Sequence, residues 1–278
     1  MKRFLQILLW LFGLLIIIII VRTLLFSSMQ IRTAEVKVEG INDECIGHLS
    51  KAVSMPTVSY LPDSPIDTLA FNSYMEFIQK SYPMVNEKLK REVFNNFSML
   101  YTWKGKDTSL RPMVLMAHYD VVPPGDTASW ERKPFSGYFD GSYVWGRGTL
   151  DDKASMISIL EAVEKLLAKG FKPGRTLYLS FGHDEELTGE RGAGTIAEVF
   201  RDRGIRPEFV LDEGMAITVG MVPMMKKPVA LIGTSEKGYL TVRMSIEMAG
   251  GHSSTPGKES ALIIMDRALD NLVKNQMP

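Results

Sequence analysis

At four places in this chain an apolar run, or the turn after it, ends in acidic side chains, and this recurrence constrains the fold more than any other feature. Met113 to Ala117 leads to His118 and, two places on, Asp120. The turn Gly146-Arg147-Gly148-Thr149 leads to Asp151 and Asp152, Thr176 to Phe181 leads to His183, Asp184, Glu185 and Glu186, and Glu208 to Leu211 leads to Asp212 and Glu213. Short apolar runs bounded by turn residues read as buried strands. Helical patterns lie between them. A stripe of Met156, Ile159, Leu160, Val163, Leu166 and Leu167 stops at Gly170, and a second helix is predicted over Gly192 to Arg203. Strands alternating with helices predict an α/β fold with a mostly parallel, helix-flanked sheet. In such a sheet the carboxyl ends of the strands share one edge, and ligands bind there.

The consequence is electrostatic. Asp120, Asp151, Asp152, Glu185, Glu186, Asp212 and Glu213 would gather around His118 and repel one another unless cations bind. Mixed imidazole and carboxylate donors suit zinc or a related divalent metal. A two-metal site needs a carboxylate that bridges both ions, and a further carboxylate that binds neither and takes a proton from water. Asp120 suits the task of orienting His118. Neighbouring Glu185 and Glu186 can divide into one base and one ligand. Asp152 and Asp184 are expected in solvent or behind the ligands, Glu213 at a helix start, and Lys153 paired with a nearby carboxylate. Trp130 and Phe135 are expected to pack the loop from Pro123 to Tyr143. A formal net charge of zero gives no case for nucleic acid as a partner, and the Gly146-Arg147-Gly148 turn lacks the spacing of a phosphate loop.

The amino terminus is of another kind. Lys2 and Arg3 precede Phe4 to Val21, an apolar run broken only by Gln6 and Gly13. About 20 apolar residues span a bilayer as a helix. The run predicts an uncleaved single-pass transmembrane anchor; a cleaved signal peptide is the rival, although the run is long for a signal core and no small-residue cleavage site follows. The leading basic residues would stay in the cytosol and place the remainder in an extracytosolic compartment, periplasmic, extracellular or lumenal; Arg22 and Arg32 count against that orientation. The expected organisation is residues 1–26 as anchor, 27–44 as linker, 45–225 as a metal-binding catalytic domain and 226–278 as the start of a second domain. Within the catalytic domain, Asn42 to Val53 predicts a short surface helix carrying His48. Ser64-Pro65 predicts an N-cap and first helical residue for a helix with Ala70, Phe71, Tyr74, Phe77 and Ile78 on one face. Phe97 to Trp103 predicts a strand. In the second domain Leu240 to Met248 alternates strictly, as a half-buried antiparallel strand does, and a helix is predicted from Ser260. The single Cys45 excludes an intrachain disulfide framework.

AHYDVV, GRGTLDDK, GHDEE, LDEG and GHSS, in this order, resemble the co-catalytic zinc amidohydrolase family of aminoacylase, glutamate carboxypeptidase, carnosinase and acetylornithine deacetylase. Within it the sequence is most similar to the branch of carboxypeptidase S and N-fatty-acyl-amino acid hydrolase. The resemblance runs from about Cys45 to Pro278. It implies two divalent metal ions, zinc foremost. His118 and Asp212 would hold one, Glu186 the other, and Asp151 would bridge. Asp120 would orient His118, and Glu185 would be the general base. His252 would bind substrate and stabilise its oxyanion, often across a homodimer. The implied substrate is a small peptide or N-acyl amino acid, cleaved next to a free carboxylate, and the implied second domain is a ferredoxin-like α+β lid. A further His that the family supplies to the second ion, and the region of its substrate-carboxylate arginine, have no counterpart in these residues; His183 is the available stand-in. The rivals are an aminopeptidase of the same clan, which the GHSS motif and the lid strand argue against, and a family member that binds ligand or a partner without turnover.

Overall fold

The computed structural model describes residues 2–27, 40–61, 64–235, 238, 242–250 and 259–276. It divides into two units, Met1–Asp212 and Glu213–Pro278. The first opens with α1 (Lys2–Leu24), none of whose residues is buried. At 1.5 Å per residue its length is about 34 Å, enough for the ~30 Å hydrocarbon core of a bilayer.

Then follow α2 (Asp43–Val53), α3 (Thr68–Ser81), α4 (Pro83–Lys88) and the strands β1 (Lys90–Phe94), β2 (Ser98–Trp103) and β3 (Met113–His118). Asn42 caps α2, its side chain accepting from Cys45 N. The cap of α3 is Asp67, which accepts from Ala70 N, and not the expected Ser64. The carboxylate can engage a free N–H of the first turn only if the helix starts at Thr68. Phe71, Tyr74, Phe77 and Ile78 of α3 are buried as their spacing predicts. A small antiparallel pair, β4 (Tyr138–Phe139) and β5 (Val144–Trp145), precedes α5 (Ala154–Ala168), β6 (Leu177–Gly182), α6 (Thr195–Asp202) and β7 (Phe209–Leu211).

The main sheet has the order β1-β2-β6-β3-β7. β3 runs parallel to β6 and β7, whereas β1–β2 and β2–β6 are antiparallel. The sheet is therefore mixed rather than mostly parallel. The antiparallel side arises because β1 and β2 are joined by a tight turn at Asn95 and Asn96, both at positive φ, which a crossover could not be.

Side chains alternate across this sheet. Met99, Tyr101, Ala117, Leu179 and Phe181 point to one face and pack with α2, α3, α4 and α5. Leu100 and Val114 point to the other and pack with Ile196 and Phe200 of α6. The result is a helix–sheet–helix sandwich, with the strand ends carrying His118 and Gly182 level with each other at one edge.

The helical layer has a polar hub. Glu161 of α5 accepts from Cys45 Sγ at 3.0 Å and Tyr82 OH at 3.1 Å, and lies 2.6 Å from His48 Nδ1. His48 is thus part of the α2–α5 interface and not a bland surface residue. Burial alone would raise the Glu161 carboxyl; the hydrogen bonds from His48, Cys45 and Tyr82 outweigh it and hold the group below its ordinary 4.5. Removing the acceptor in Glu161→Ala leaves these donors unpaired and is expected to cost roughly 2–4 kcal/mol in a urea melt. Because the folded group titrates lower, its contribution is complete above pH 4.5 and is lost as pH falls through the lower folded value. Glu161→Gln should accordingly flatten that part of the acid-unfolding profile.

The second unit holds the antiparallel pair β8 (Ile217–Thr218) and β9 (Val229–Ala230) and the helix α7 (Ala261–Lys274), which starts where predicted and has Ser260 as its cap. The strand expected over Leu240 to Met248 is not formed in its described part: residues 242–250 carry no strand. Alternation alone cannot make a strand without a partner to pair with. His252 and the rest of the GHSS motif lie outside the described residues.

Candidate metal centre

The site begins with the alternation of β3 continued past its end. His118 and Asp120 turn to one side, while Tyr119 between them turns into the core and stacks on Tyr74, with ring centroids 4.7 Å apart. A parallel bridge between Val58 and Val121 extends this segment and carries Ser59 alongside.

His118 is buried, and its two ring nitrogens have different neighbours. Nδ1 lies 3.0 Å from Asp120 O and 3.3 Å from Asp120 Oδ1. Nε2 faces outward to Asp151 Oδ1 at 2.9 Å and Glu185 Oε2 at 3.8 Å. A ring N–H directed at Asp120 leaves the Nε2 lone pair for a metal.

Asp120, fully buried, organises the neighbouring turn as well. Its Oδ1 accepts from Glu185 N at 3.1 Å and its Oδ2 from Glu186 N at 3.2 Å and Ser59 Oγ at 2.7 Å. Glu185 and Glu186 sit on a single helical turn just after β6. Glu186 Oε1 accepts from Val122 N at 3.2 Å. Burial first, and the nearby Asp151 charge next, push the Glu186 carboxyl above its usual range, while His118 pulls it back. A group that resists ionising beside other carboxylates is relieved by a cation. One donor atom each from His118, Glu185 and Glu186 lies within 4.8 Å of the others, a metal-sized group.

Asp151 reaches the cluster from the turn before α5, and its side chain is largely exposed. Asp152 lies behind the cluster, buried, its Oδ2 accepting from His118 N at 3.3 Å. Asp212 follows β7 directly; since Leu211 pairs with Leu115 in parallel register, it emerges at the same edge of the sheet as His118.

Three neighbours differ from expectation. Glu213 starts no helix: it lies at a bend, and the short strand β8 follows. Lys153 is buried and pairs with no carboxylate among the described residues: its Nζ donates to Ala52 O at 3.1 Å and Met55 O at 2.6 Å and lies over the Tyr74 ring. Burial pushes it down to about 7, against the opposing pull of Asp120. His183 turns into the core between Phe71 and Phe97, with Nδ1 2.6 Å from Ser98 Oγ, so it is not placed as a stand-in ligand. Ser59 is the site residue that sequence reasoning missed. Its segment is irregular, and only the bridge to Val121 brings it to Asp120.

An imidazole ringed by carboxylates at the strand ends of an α/β sheet is a donor set suited to a divalent metal. The profile of peptidase family M20/M25/M40 matches residues 114–269, and the chain belongs to that family. It is 40% identical over 271 residues to the Dictyostelium discoideum protein described as "Probable carboxypeptidase S-like 2", covering 94% of this chain and 52% of that one. It is 42% identical over 232 residues to an N-fatty-acyl-amino acid synthase/hydrolase of Xenopus tropicalis, covering 83% and 45%. The chain thus spans about half the length of the curated relatives it matches. In fold it is similar to an M20 family metallo-carboxypeptidase of Sulfolobus solfataricus, with TM-score 0.50 and 21% identity over 64% of this chain and 38% of that one.

Proposed function

We propose that the protein is a metal-dependent hydrolase that cleaves a peptide or N-acyl amide bond next to a free carboxylate. The observation that carries this reading is the convergence of His118 Nε2 with Glu185 and Glu186 in a chain of the M20 family. The donor set fits a divalent metal of zinc type: a nitrogen ligand with carboxylates suits zinc, whereas magnesium and calcium favour oxygen alone. In this reading His118 and Asp212 would hold one ion, Glu186 would hold the other, and Asp151 would be a ligand shared by both. A metal bound there supplies Lewis-acid polarisation of the scissile carbonyl and of water.

The remaining steps belong to the protein's own groups. Asp120 fixes the tautomer of His118 and, through two backbone N–H groups, the placement of Glu185 and Glu186. Glu185 takes a proton from water and delivers it to the departing amine. His252 stabilises the oxyanion, and the second unit provides the lid and dimer contact. The test is metal analysis together with hydrolysis of N-acyl amino acids, dipeptides and aminopeptidase substrates. About two ions per chain with cleavage beside a free carboxylate supports the reading; metal with cleavage only behind a free amine would assign an aminopeptidase, and metal binding without turnover a ligand-binding member.

The reading includes a membrane anchor. α1 is long and apolar enough to cross a bilayer, so it is suited to lipid. The expected result is that carbonate or high salt fails to extract the protein from membranes and that deleting residues 1–26 releases it. A mature chain beginning near Ser27 would make the segment a signal peptide.

A further inference from the structure

The edge of the main sheet away from the metal centre holds a cavity of about 420 Å³, within the roughly 300–1,000 Å³ of small-molecule sites. β6 runs from this edge to the other, so Tyr178 lies about 13 Å along the strand from Gly182, which is level with His118. Thr102 stands directly opposite Tyr178, and alternation puts both on the face toward α6, where Tyr178 packs on Phe200 with ring centroids 4.8 Å apart. These half-buried residues line the cavity together with Lys104 of the β2–β3 loop and Arg206 of the turn after α6. The surrounding loops are tied to one another. Gly105 N donates to Thr176 Oγ1 at 3.3 Å, Arg175 Nη1 to Arg111 O at 3.0 Å, and Arg111 Nε to Arg206 O at 3.4 Å. A Cβ on Gly105 would collide with the backbone of Arg175, so the first two loops meet there without room for a side chain.

The lining is rich in donors and short of acceptors. Both nearby carboxylates are already engaged: Asp107 accepts from Ser109 N and Oγ, and Glu208 lies 3.5 Å from Arg111 Nε. The side chains of Lys104 and Arg206 have no partner among the described residues, and the hydroxyls of Thr102 and Tyr178 have no hydrogen-bond partner there. Residues 104–112, 169–176 and 203–208, the loops at this edge, together carry eight Lys and Arg against two acidic residues, in a chain of zero net charge. The edge is therefore electropositive, whereas the metal edge is rich in carboxylates. Two cations and two hydroxyls around one space suit a phosphate, which has two negative charges and three strongly accepting oxygens, better than a carboxylate with one charge and two. Leu110, Pro112 and Ile205 add apolar wall for the group esterified to it.

We infer that this cavity binds a phosphate monoester at a site separate from the metal centre, with Lys104 and Arg206 balancing its charge and Thr102 and Tyr178 donating to its oxygens. The test is calorimetric titration of the full zinc-loaded chain, held in phosphatidylcholine nanodiscs, with glycerol 3-phosphate, glycerate and glycerol. Glycerol 3-phosphate should bind, glycerate more weakly, and glycerol not measurably. Replacing both cations, Lys104→Ala with Arg206→Ala, should weaken glycerol 3-phosphate by roughly tenfold or more. Thr102→Val should weaken it by about threefold, and zinc content should be unchanged in every variant. Both cations are exposed, so the double variant should fold; Thr102→Val carries the same comparison if it does not. Nanodiscs containing phosphatidic acid distinguish the sources of the phosphate. If they block glycerol 3-phosphate the site takes a lipid headgroup, and if they leave its binding intact the site takes a soluble ester. Absence of glycerol 3-phosphate binding, equal binding of glycerate, or unchanged affinity in the double variant would overturn the inference. So would binding that disappears when zinc is removed, because the phosphate would then sit on the metal.

Discussion

Replacing Glu185 with glutamine is expected to lower amide hydrolysis by ~10²- to 10⁴-fold while leaving metal content nearly unchanged. Glu185 is half exposed, with one carboxylate oxygen 3.8 Å from His118 Nε2, so it borders the proposed metal centre and is open to solvent. Its position depends on its backbone N–H, which binds Asp120, and an amide side chain leaves that bond intact. Glutamine can still accept a hydrogen bond, but it cannot take the proton. Glu186→Gln should behave in the opposite order. Its carboxylate is more enclosed and is pushed up by burial and by Asp151, so it gains most from a cation, and its loss should lower metal affinity first. Metal analysis beside turnover separates the two variants. Zinc lost first in Glu185→Gln, with Glu186→Gln keeping its zinc and losing turnover, would exchange their roles.

The sequence makes some of this centre readable and hides the rest for physical reasons. His118 and Asp120 could be placed together because a strand alternates with a period of two, and Tyr119 between them has to face the core. The β6 and β7 ends were readable for the same reason: apolar runs stop where the edge of the sheet begins. β1 was not, because Lys90, Arg91 and Glu92 give an edge strand the look of a loop. The partners that fix the centre from behind come from far away in the chain. Ser59 reaches Asp120 only through the bridge to Val121, and the carbonyls that hold Lys153 belong to Ala52 and Met55. A lysine among aspartates reads naturally as a salt bridge. In the fold it is instead enclosed between α2 and the core, where carbonyls and an aromatic face are the available partners. Glu161 and His48 were hidden in the same way, since a contact across 113 residues leaves no local pattern.

Asp120→Asn is expected to destabilise the fold by roughly 2–4 kcal/mol and to weaken metal binding by ~10- to 100-fold, although Asp120 itself is proposed to touch no metal. The side chain is fully buried and both oxygens are in use. Oδ1 serves Glu185 N and lies 3.3 Å from His118 Nδ1, and Oδ2 serves Glu186 N and Ser59 Oγ. Asparagine has to place an NH₂ on one side or the other. On the Oδ1 side it meets the N–H of Glu185 and the ring of His118. On the Oδ2 side it meets the N–H of Glu186, with only the Ser59 hydroxyl able to reverse and accept. Either orientation sets donor against donor at a fully buried position. It also removes the charge that favours the Nδ1–H tautomer of His118, so Nε2 becomes a weaker ligand. A urea melt and a zinc titration read the two effects separately. The melt of metal-free protein reports the lost hydrogen bonds, and the titration reports the lost control of His118. Ser59→Ala removes one hydrogen-bond donor to the Asp120 carboxylate and keeps the carboxylate itself, so it should move the melt by about 1 kcal/mol and the zinc affinity little. Unchanged zinc affinity in Asp120→Asn would mean that His118 does not depend on Asp120 for its tautomer.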